Sequence, residues 1–351
     1  MAAGRPRRRR HRPLPLPDVI TRRSLLTGAG ALGLGAALAG CAGGTTAPPQ
    51  ASTRTITHKL GTTEISGTPQ RVVTMGLTEQ DYVLALGVTP VGVREWFGGR
   101  PGALWPWAAE RADGVPEVLA VTEPSYEQVA ALAPDLVLGV NYSMTPEEYA
   151  TLSAIAPTVG PPVGHADYGA PWQVITEVVG TALGREEQAA ALVAPVEQGF
   201  ADLRSTIPAG RTGLLAARLE DGTYYAYAEG PAPAFLADLG LALPPAAEAL
   251  FTGPDRPPVE LSPEQLGVLD ADVLVLGLYG AFATTGTVDD PVFGNLRVAR
   301  EGRAILLPEQ STTNGALSFG SVLSLPVALA EMRPRLAAAL DGDPATAVPP
   351  A

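Results

Sequence analysis

The stretch YEQVAALAPDLVLG, residues 126–139, recurs in altered form as PEQLGVLDADVLVLG, residues 263–277. In each copy an apolar run follows an aspartate, which is typical of a parallel strand covered on both faces. Two copies are too few for a solenoid, so the recurrence favours a duplication into two similar lobes. At one constant offset, Glu127, Gln128, Leu132 and Asp135 match Glu264, Gln265, Leu269 and Asp272.

The first forty residues carry an export signal rather than part of the fold. A basic start, RPRRRRHR at 5–12, and the pair Arg22-Arg23 precede an apolar segment from Leu25 to Gly40, a pattern typical of twin-arginine-type export. The segment ends in LAGC, which resembles the lipobox of bacterial lipoproteins and predicts lipidation of Cys41. A signal-anchor helix is the alternative, but a bilayer span needs about 20 apolar residues.

Cysteine use and charge limit what the exported body can be. Cys41 is the only cysteine, so an internal disulfide is excluded. Residues 1–40 hold eight of the 24 basic and one of the 36 acidic residues, which leaves 16 against 35, a formal net charge of −19. Such acidity disfavours a nucleic-acid partner. We expect a body lipid-anchored to the outer face of the cell membrane.

The rest of the chain predicts an α/β fold with strand, helix and strand in alternation in each half. This order predicts a parallel sheet with right-handed crossovers in each lobe and a ligand cleft between the lobes. Residues 172–204 have helical spacing, with Gly184 and Pro195 as points where the bridge bends or splits. The predicted parts are a signal (1–40), a flexible tether (41–52), an N-terminal lobe (53–170), a bridging helix (171–208), a C-terminal lobe (209–340) and a tail (341–351).

Side chains for metal binding or catalysis are scarce. After the signal only His58 and His165 remain as histidines, with no cysteine thiolate to join them, so no bare transition-metal site is expected. No Gly-x-Ser-x-Gly elbow accompanies His165. We expect a protein that is not an enzyme and has no resident cofactor, with a secreted α/β hydrolase as the outside alternative.

Five segments carry a resemblance to a known family: GTPQRVVTMG (67–76), LALGVTPVGV (84–93), EPSYEQVAALAPDLVLG (123–139), LSAIAPTV (152–159) and DPVFGNLRVAREGRAILLP (290–308). Through these segments the chain resembles the substrate-binding lipoproteins of bacterial ABC importers, in the family that binds iron-siderophores, haem and cobalamin. The resemblance implies that the cargo is a ferric siderophore delivered to an ABC permease, with cobalamin or haem as the alternative cargo.

The same resemblance gives the repeated glutamates a role. Glu127 and Glu264 are expected to dock into arginine pockets of the permease, one for each lobe. The alternative is that each is a first-turn acid favoured by the helix dipole. A stiff bridge further predicts a small closure of the lobes on binding.

Candidate ligand-binding residues are the arginines and aromatics that follow predicted strands, where loops face the cleft of an α/β lobe. Arginine donates to anionic oxygens, and aromatic faces pack on a chelator. Trp105 and Trp107 stay open between a cleft role and a core role. The candidates are Arg94, Trp96, Tyr142, Tyr168, Trp172, Arg218, Tyr227, Tyr279 and Phe319.

Overall fold

The structure, a computed structural model, describes residues 53–119, 125–253 and 256–351. The predicted signal, the tether and the lipidation residue Cys41 lie outside the described residues. Within those ranges, no helix has the combination of length and apolarity that crossing a bilayer requires.

The first lobe is built on a parallel sheet. Its elements are β1 (Thr53–His58), β2 (Gly61–Ser66), β3 (Val72–Thr74), α1 (Glu79–Ala85), β4 (Gly92–Arg94), a 3₁₀ helix (Pro101–Ala103), α2 (Pro106–Ala109), β5 (Glu117–Leu119), α3 (Tyr126–Ala131), β6 (Leu136–Leu138), α4 (Pro146–Ser153) and β7 (Thr158–Val159). The sheet order is β5-β4-β3-β6-β7, and β1 and β2 form an antiparallel hairpin beside it. Every residue of β3 and β6 is buried, as expected for parallel strands covered on both faces.

Two helices connect the lobes, α5 (Trp172–Leu183) and α6 (Glu186–Arg204). The break falls at Gly184, whose φ of 67° lies in the left-handed region that glycine adopts without steric cost. Pro195 lies inside α6 and does not end it. Because α5 packs against α6, β1 and α1, the segment is a pair of packed helices and not one straight rod.

The second lobe has a mixed sheet in the order β10-β9-β8-β11-β12. Its elements are β8 (Gly213–Arg218), β9 (Tyr224–Tyr227), α7 (Pro231–Asp238), α8 (Pro245–Glu248), β10 (Val259–Leu261), a 3₁₀ helix (Pro263–Leu269), β11 (Val273–Leu278), α9 (Ala281–Val288), α10 (Pro291–Gly294), α11 (Arg297–Arg300), β12 (Ala304–Pro308), α12 (Thr312–Phe319) and α13 (Ser324–Ala339).

The two-lobed α/β class is confirmed, but the expectation of a wholly parallel sheet in the second lobe is wrong. β8 pairs in parallel with β11, whereas β9 runs antiparallel to both β8 and β10. The reason is the Asp221-Gly222 dipeptide, which closes a tight turn where Leu219 and Thr223 pair through their backbones. Such a turn reverses the chain directly and leaves no length for a helical crossover.

The aspartates of the repeated stretch join neighbouring strands. Asp135, just before β6, accepts the backbone N–H of Gln70 and of Arg71 at 2.8 Å each, beside the start of β3. Asp272, just before β11, accepts the backbone N–H of Thr212 at 2.8 Å, beside the start of β8. Each carboxylate satisfies backbone donors at the end of a sheet, where the ladder offers no partner.

One hydrophobic core continues from the first lobe into the second. Val72 and Leu138 of the first sheet, Val275 and Leu307 of the second, and Phe200 of α6 belong to the same buried cluster. The opposite face of each sheet packs against a cluster of its own. Because apolar burial is the dominant favourable term in folding, the shared core holds the lobes together through α6.

Candidate ligand-binding cleft

A cavity of about 1130 Å³ is lined by residues of both lobes. The first lobe contributes Thr78 and Asn141, which follow β3 and β6, and the segment 166–173. The second lobe contributes 229–231 at the start of α7 and 319–320 at the end of α12. Loops after the carboxyl ends of strands are where α/β folds place their ligands, and the volume suits a chelate of several hundred daltons.

Three of the candidate residues line this cavity: Tyr168, Trp172 and Phe319. Tyr168 is 42% exposed and has a φ of 58°, a conformation that non-glycine residues hold only where the surroundings enforce it. Trp172 begins α5, and Phe319 ends α12. The cavity therefore has aromatic faces on both lobes.

Arg94 and Tyr142 are linked to Tyr168 by a chain of ring contacts. The guanidinium carbon of Arg94 lies 4.9 Å from the ring centroid of Tyr142, and the Tyr142 ring lies 6.4 Å from that of Tyr168, edge to face. The Tyr142 hydroxyl donates to Glu148 at 2.8 Å. Burial, followed by this hydrogen bond, raises the pKa of Tyr142 far above its usual range, so the ring stays neutral beneath the cation.

Trp96 and Phe319 meet where the two lobes touch. Trp96 is 36% exposed and its ring centroid lies 5.8 Å from that of Phe319. Trp105 is fully buried and stacks on Trp107 at 5.3 Å with nearly parallel planes. A Cβ at Gly315 of α12 would come within 2.5 Å of the Trp105 ring. Trp105 is thus a core residue packed on the second lobe, which answers the open question for this tryptophan.

Arg218, Tyr227 and Tyr279 are not among the lining residues of the cavity. Arg218 is 7% exposed, and its Nη2 lies 3.2 Å from a carboxylate oxygen of Asp290. Its guanidinium also covers the ring of Tyr224 at 5.0 Å. Burial raises the pKa of both Tyr227 and Tyr279, which are half-buried. Arg94, Trp96 and Tyr142 are likewise not among the lining residues.

Two buried carboxyls beside the cavity escaped the sequence reasoning. Glu79 accepts the backbone N–H of Gly76 at 3.0 Å and of Asn141 at 2.6 Å, and so joins the loops that follow β3 and β6. Burial raises its pKa to about 7, against the effect of these hydrogen bonds. The available signal was the polar run Thr78-Glu79-Gln80-Asp81 between apolar segments.

Asp81 joins the two lobes through side chains. Its Oδ2 accepts from the hydroxyl of Ser321 at 2.5 Å and from the indole of Trp107 at 2.8 Å. The residue is completely buried, and burial raises its pKa to about 7 although both hydrogen bonds lower it. Asp81 is therefore a polar contact between the lobes whose charge changes near neutral pH.

The repeated glutamates are both exposed, at the start of their helices. Glu127 lies in the first turn of α3 and accepts from the hydroxyl of Ser125 at 3.1 Å. Glu264 lies in the first turn of the 3₁₀ helix 263–269. Backbone hydrogen bonds, and then a serine hydroxyl, lower the pKa of each carboxyl, so both are ionised at neutral pH.

The described residues offer no grouping of three or more His, Cys, Asp or Glu side chains placed to hold a metal ion. His58 bonds to Thr63 at 3.0 Å, and burial lowers its pKa. The geometry of the cavity is that of a binding cleft with aromatic and polar walls.

A comparison with protein families shows which family the chain belongs to. Residues 72–310 match the model of the periplasmic binding proteins. The chain belongs to the periplasmic binding protein family. A periplasmic solute binding protein from Mycobacterium smegmatis has a similar structure, with a TM-score of 0.73 and 33% sequence identity over 82% of this chain and 99% of that chain.

Other members of the family are similar in fold or in part of the sequence. PiaA of Streptococcus pneumoniae, solved in complex with ferrichrome, has a TM-score of 0.68 and 23% identity over 82% of this chain and 99% of that chain. A probable siderophore-binding lipoprotein of Bacillus subtilis, YfiY, is 40% identical over 30% of this chain and 32% of its own length. The chain thus spans only about a third to a half of the length of the curated relatives that it matches.

Proposed function

We propose that this periplasmic binding protein is an extracytoplasmic lipoprotein that binds a ferric siderophore and delivers it to an ABC permease. The observation that carries the proposal is the cavity shared by both lobes, with Tyr168, Trp172 and Phe319 in its wall. Such rings suit the faces of a bulky chelate better than a bare ion. The relatives support the same cargo class, since PiaA was solved with ferrichrome and YfiY is a probable siderophore-binding protein.

The binding site in this proposal includes Arg94 and Tyr142, linked to Tyr168, together with Trp96 beside Phe319. Arg218, Tyr227 and Tyr279 stay as candidates on the second lobe. An arginine stacked on a tyrosine is held in one orientation at little entropic cost. A cargo that contacts Tyr168 would therefore be linked through the Tyr142 ring to an ordered guanidinium.

Tryptophan fluorescence tests the proposal, because Trp172 lines the cavity. The full-length chain is titrated with ferric siderophores and with the same chelators free of iron. We expect saturable quenching by a ferric complex. Tyr168→Ala should raise the Kd roughly threefold to tenfold, because one aromatic contact is lost. Tyr225→Ala is the matched control, since Tyr225 lies on β9 outside the cavity wall.

Two outcomes contradict the proposal in different ways. Saturable binding of haem or cobalamin with no response to ferric siderophores would change the cargo and keep the transport role. Silence towards every member of the panel would remove the transport role.

The attachment to the membrane is proposed to run through a lipid on Cys41, as the LAGC sequence at 38–41 suggests. Metabolic labelling with a radioactive fatty acid tests this directly. The wild-type chain should take up label and sediment with membranes, whereas Cys41→Ser should do neither. Label retained in the variant would contradict the anchor.

A further inference from the structure

Tyr168 reaches the cavity wall on a tight turn. The backbone N–H of Gly169 donates to the carbonyl of Ala166 at 3.1 Å, which closes the turn, and Tyr168 holds its third position with a φ of 58°. A positive φ at this position is typical of a type II turn, where glycine or asparagine is preferred. In this chain the glycine comes one position later, so the turn places a bulky ring in a conformation that costs free energy.

Asp167, the second residue of the turn, fixes it to the rest of the first lobe. Its Oδ1 accepts from the ammonium of Lys59 at 2.6 Å, and its Oδ2 accepts from the hydroxyl of Ser143 at 2.8 Å. Lys59 lies between β1 and β2, and Ser143 follows β6. The bond from Lys59, followed by that from Ser143, lowers the pKa of Asp167. The carboxylate is therefore ionised at neutral pH and can keep both bonds.

Further contacts hold the same segment at both of these places. The backbone N–H of Lys59 donates to the carbonyl of Pro161 at 2.9 Å. Ser143 follows Tyr142, whose ring meets that of Tyr168 edge to face at 6.4 Å. One partly exposed ion pair contributes little by itself, but here the ion pair, a hydroxyl bond, a backbone bond and a ring contact act on one short segment.

We propose, on the basis of the function proposed above, that Asp167 is a positioning residue for cargo binding, which acts by holding the ring of Tyr168 in the cavity wall. A ring that is fixed before the cargo arrives loses little conformational freedom on contact. Without its anchor, the turn can relax, Tyr168 leaves the left-handed region, and the ring leaves its place in the wall. Lys59 and Ser143 contribute to affinity through Asp167 and not by contact with the cargo.

A double-mutant cycle between Asp167 and Tyr168 tests the proposal. The full-length chain is titrated with ferrichrome, ferrioxamine B, ferric citrate and ferric enterobactin, and the Kd is compared for the complex that binds most tightly. Asp167→Ala should raise this Kd about threefold in the wild-type background and leave it unchanged in the Tyr168→Ala background. Asp167→Asn keeps one accepting oxygen and should cause a smaller loss. An equal factor in both backgrounds would overturn the proposal, because Asp167 would then act independently of the ring.

The matched control is Asp221→Ala. Asp221 also holds a turn, since it accepts the backbone N–H of Thr223 at 2.9 Å, but it lies outside the cavity wall. Its substitution should leave the Kd at the wild-type value.

Cleavage by chymotrypsin after Tyr168 gives a second readout that needs no cargo, because proteolysis follows the population of the opened segment. Asp167→Ala should be cut at this bond about fivefold faster than the wild type, and Asp221→Ala at the wild-type rate, with the site identified by mass spectrometry. An unchanged rate in Asp167→Ala would overturn the positioning role. If no ferric complex binds to the wild type, the function proposed above fails, and the cleavage rate still decides whether Asp167 holds Tyr168 in place.

Discussion

The two copies of the repeated stretch share the residues at their start and end but form different types of helix between them. In the first lobe the stretch forms the α-helix α3, and in the second lobe a 3₁₀ helix over Pro263–Leu269. Ser125 caps the first by accepting from the backbone of Gln128, and Ser262 and Gln265 form a reciprocal capping box on the second. The two copies therefore share the cap, the exposed glutamate and the strand-joining aspartate, and they differ in the type of helix.

The two sheets likewise agree in one part and differ in the other. The strands β3, β6 and β7 correspond in order and direction to β8, β11 and β12, whereas β4 and β5 are parallel and β9 and β10 antiparallel. The constant half of each sheet carries the repeated stretch. The part of each lobe that shares strand order and the repeated stretch is therefore also the part that presents a glutamate on the surface.

Charge reversal of the two glutamates should give the largest effect. If the duplication serves a two-sided partner, Glu127→Arg and Glu264→Arg should each lower uptake of radiolabelled ferric siderophore by about tenfold or more, through like-charge repulsion at the permease. Cargo affinity should be unchanged. Glu147→Arg is the matched control, since Glu147 is also an exposed first-turn acid. Uptake unaffected by either reversal would mean that the glutamates are simple first-turn acids.

Substitution of the two aspartates should show which one contributes more to the free energy of unfolding. Asp272 also bonds to Arg211 and to the hydroxyl of Thr212 and is less exposed than Asp135. Asp272→Ala should therefore lower the free energy of unfolding by about 2–3 kcal/mol and Asp135→Ala by about 1–2 kcal/mol. Urea unfolding measures both, with the Asn variants as partial replacements. A larger loss in Asp135→Ala would reverse the ranking.

The lobes also differ in the charges that they bury, which predicts a pH dependence. The first lobe buries the carboxyls Glu79 and Asp81, whereas the second buries the guanidiniums of Arg218 and Arg335. A carboxyl with a pKa of about 7 in the folded state and about 4 when unfolded keeps its proton in the native protein until the pH approaches 7. Its contribution to stability is present at low pH and is lost as the pH rises through 7.

The thermal midpoint should therefore fall between pH 5 and pH 8, by several degrees at about 2–4 °C per kcal/mol. Asp81→Asn keeps an oxygen for Ser321 and Trp107 and cannot ionise, so it should flatten part of this slope and be the more stable protein at pH 8. A slope identical to that of the wild type would show that Asp81 does not titrate in this range.

Loss of the helix caps should have the smallest effect. Ser125→Ala and Ser262→Ala should each cost about 0.5–1 kcal/mol of unfolding free energy. Gln265→Ala should add a cost of similar size, because it removes the side-chain oxygen that accepts the backbone N–H of Ser262. Ser153→Ala serves as a control, because Ser153 is the exposed last residue of α4. An unchanged stability of Gln265→Ala would mean that the reciprocal bond adds nothing.

Much of the fold was predictable because apolar runs and glycine stops are local signals. The strands around Val72, Leu136 and Val273 and the left-handed break at Gly184 fall where the sequence indicates. β5 escaped, since only Leu119 of its three residues is buried. The antiparallel turn at Asp221-Gly222 was also missed, although this dipeptide is a strong hairpin signal.

The site was harder to predict because side-chain direction depends on distant partners. The positions of Tyr168 and Trp172 follow from a glycine- and proline-rich segment after a strand, and both line the cavity. Arg218 also follows a strand, yet its guanidinium pairs with Asp290, far along the chain. The buried Asp81 depends on Ser321 of the other lobe, which no local pattern indicates.

The stacked pair of Trp105 and Trp107 gives the protein an intrinsic spectroscopic probe. Two indoles with near-parallel planes 5.3 Å apart couple their electronic transitions, and the resulting near-ultraviolet circular dichroism depends steeply on separation and angle. Trp105 rests on Gly315 of the second lobe, while Trp107 bonds to Asp81 of the first. A shift of the second lobe that moves the Trp105 ring relative to Trp107 would change this spectrum without an added label.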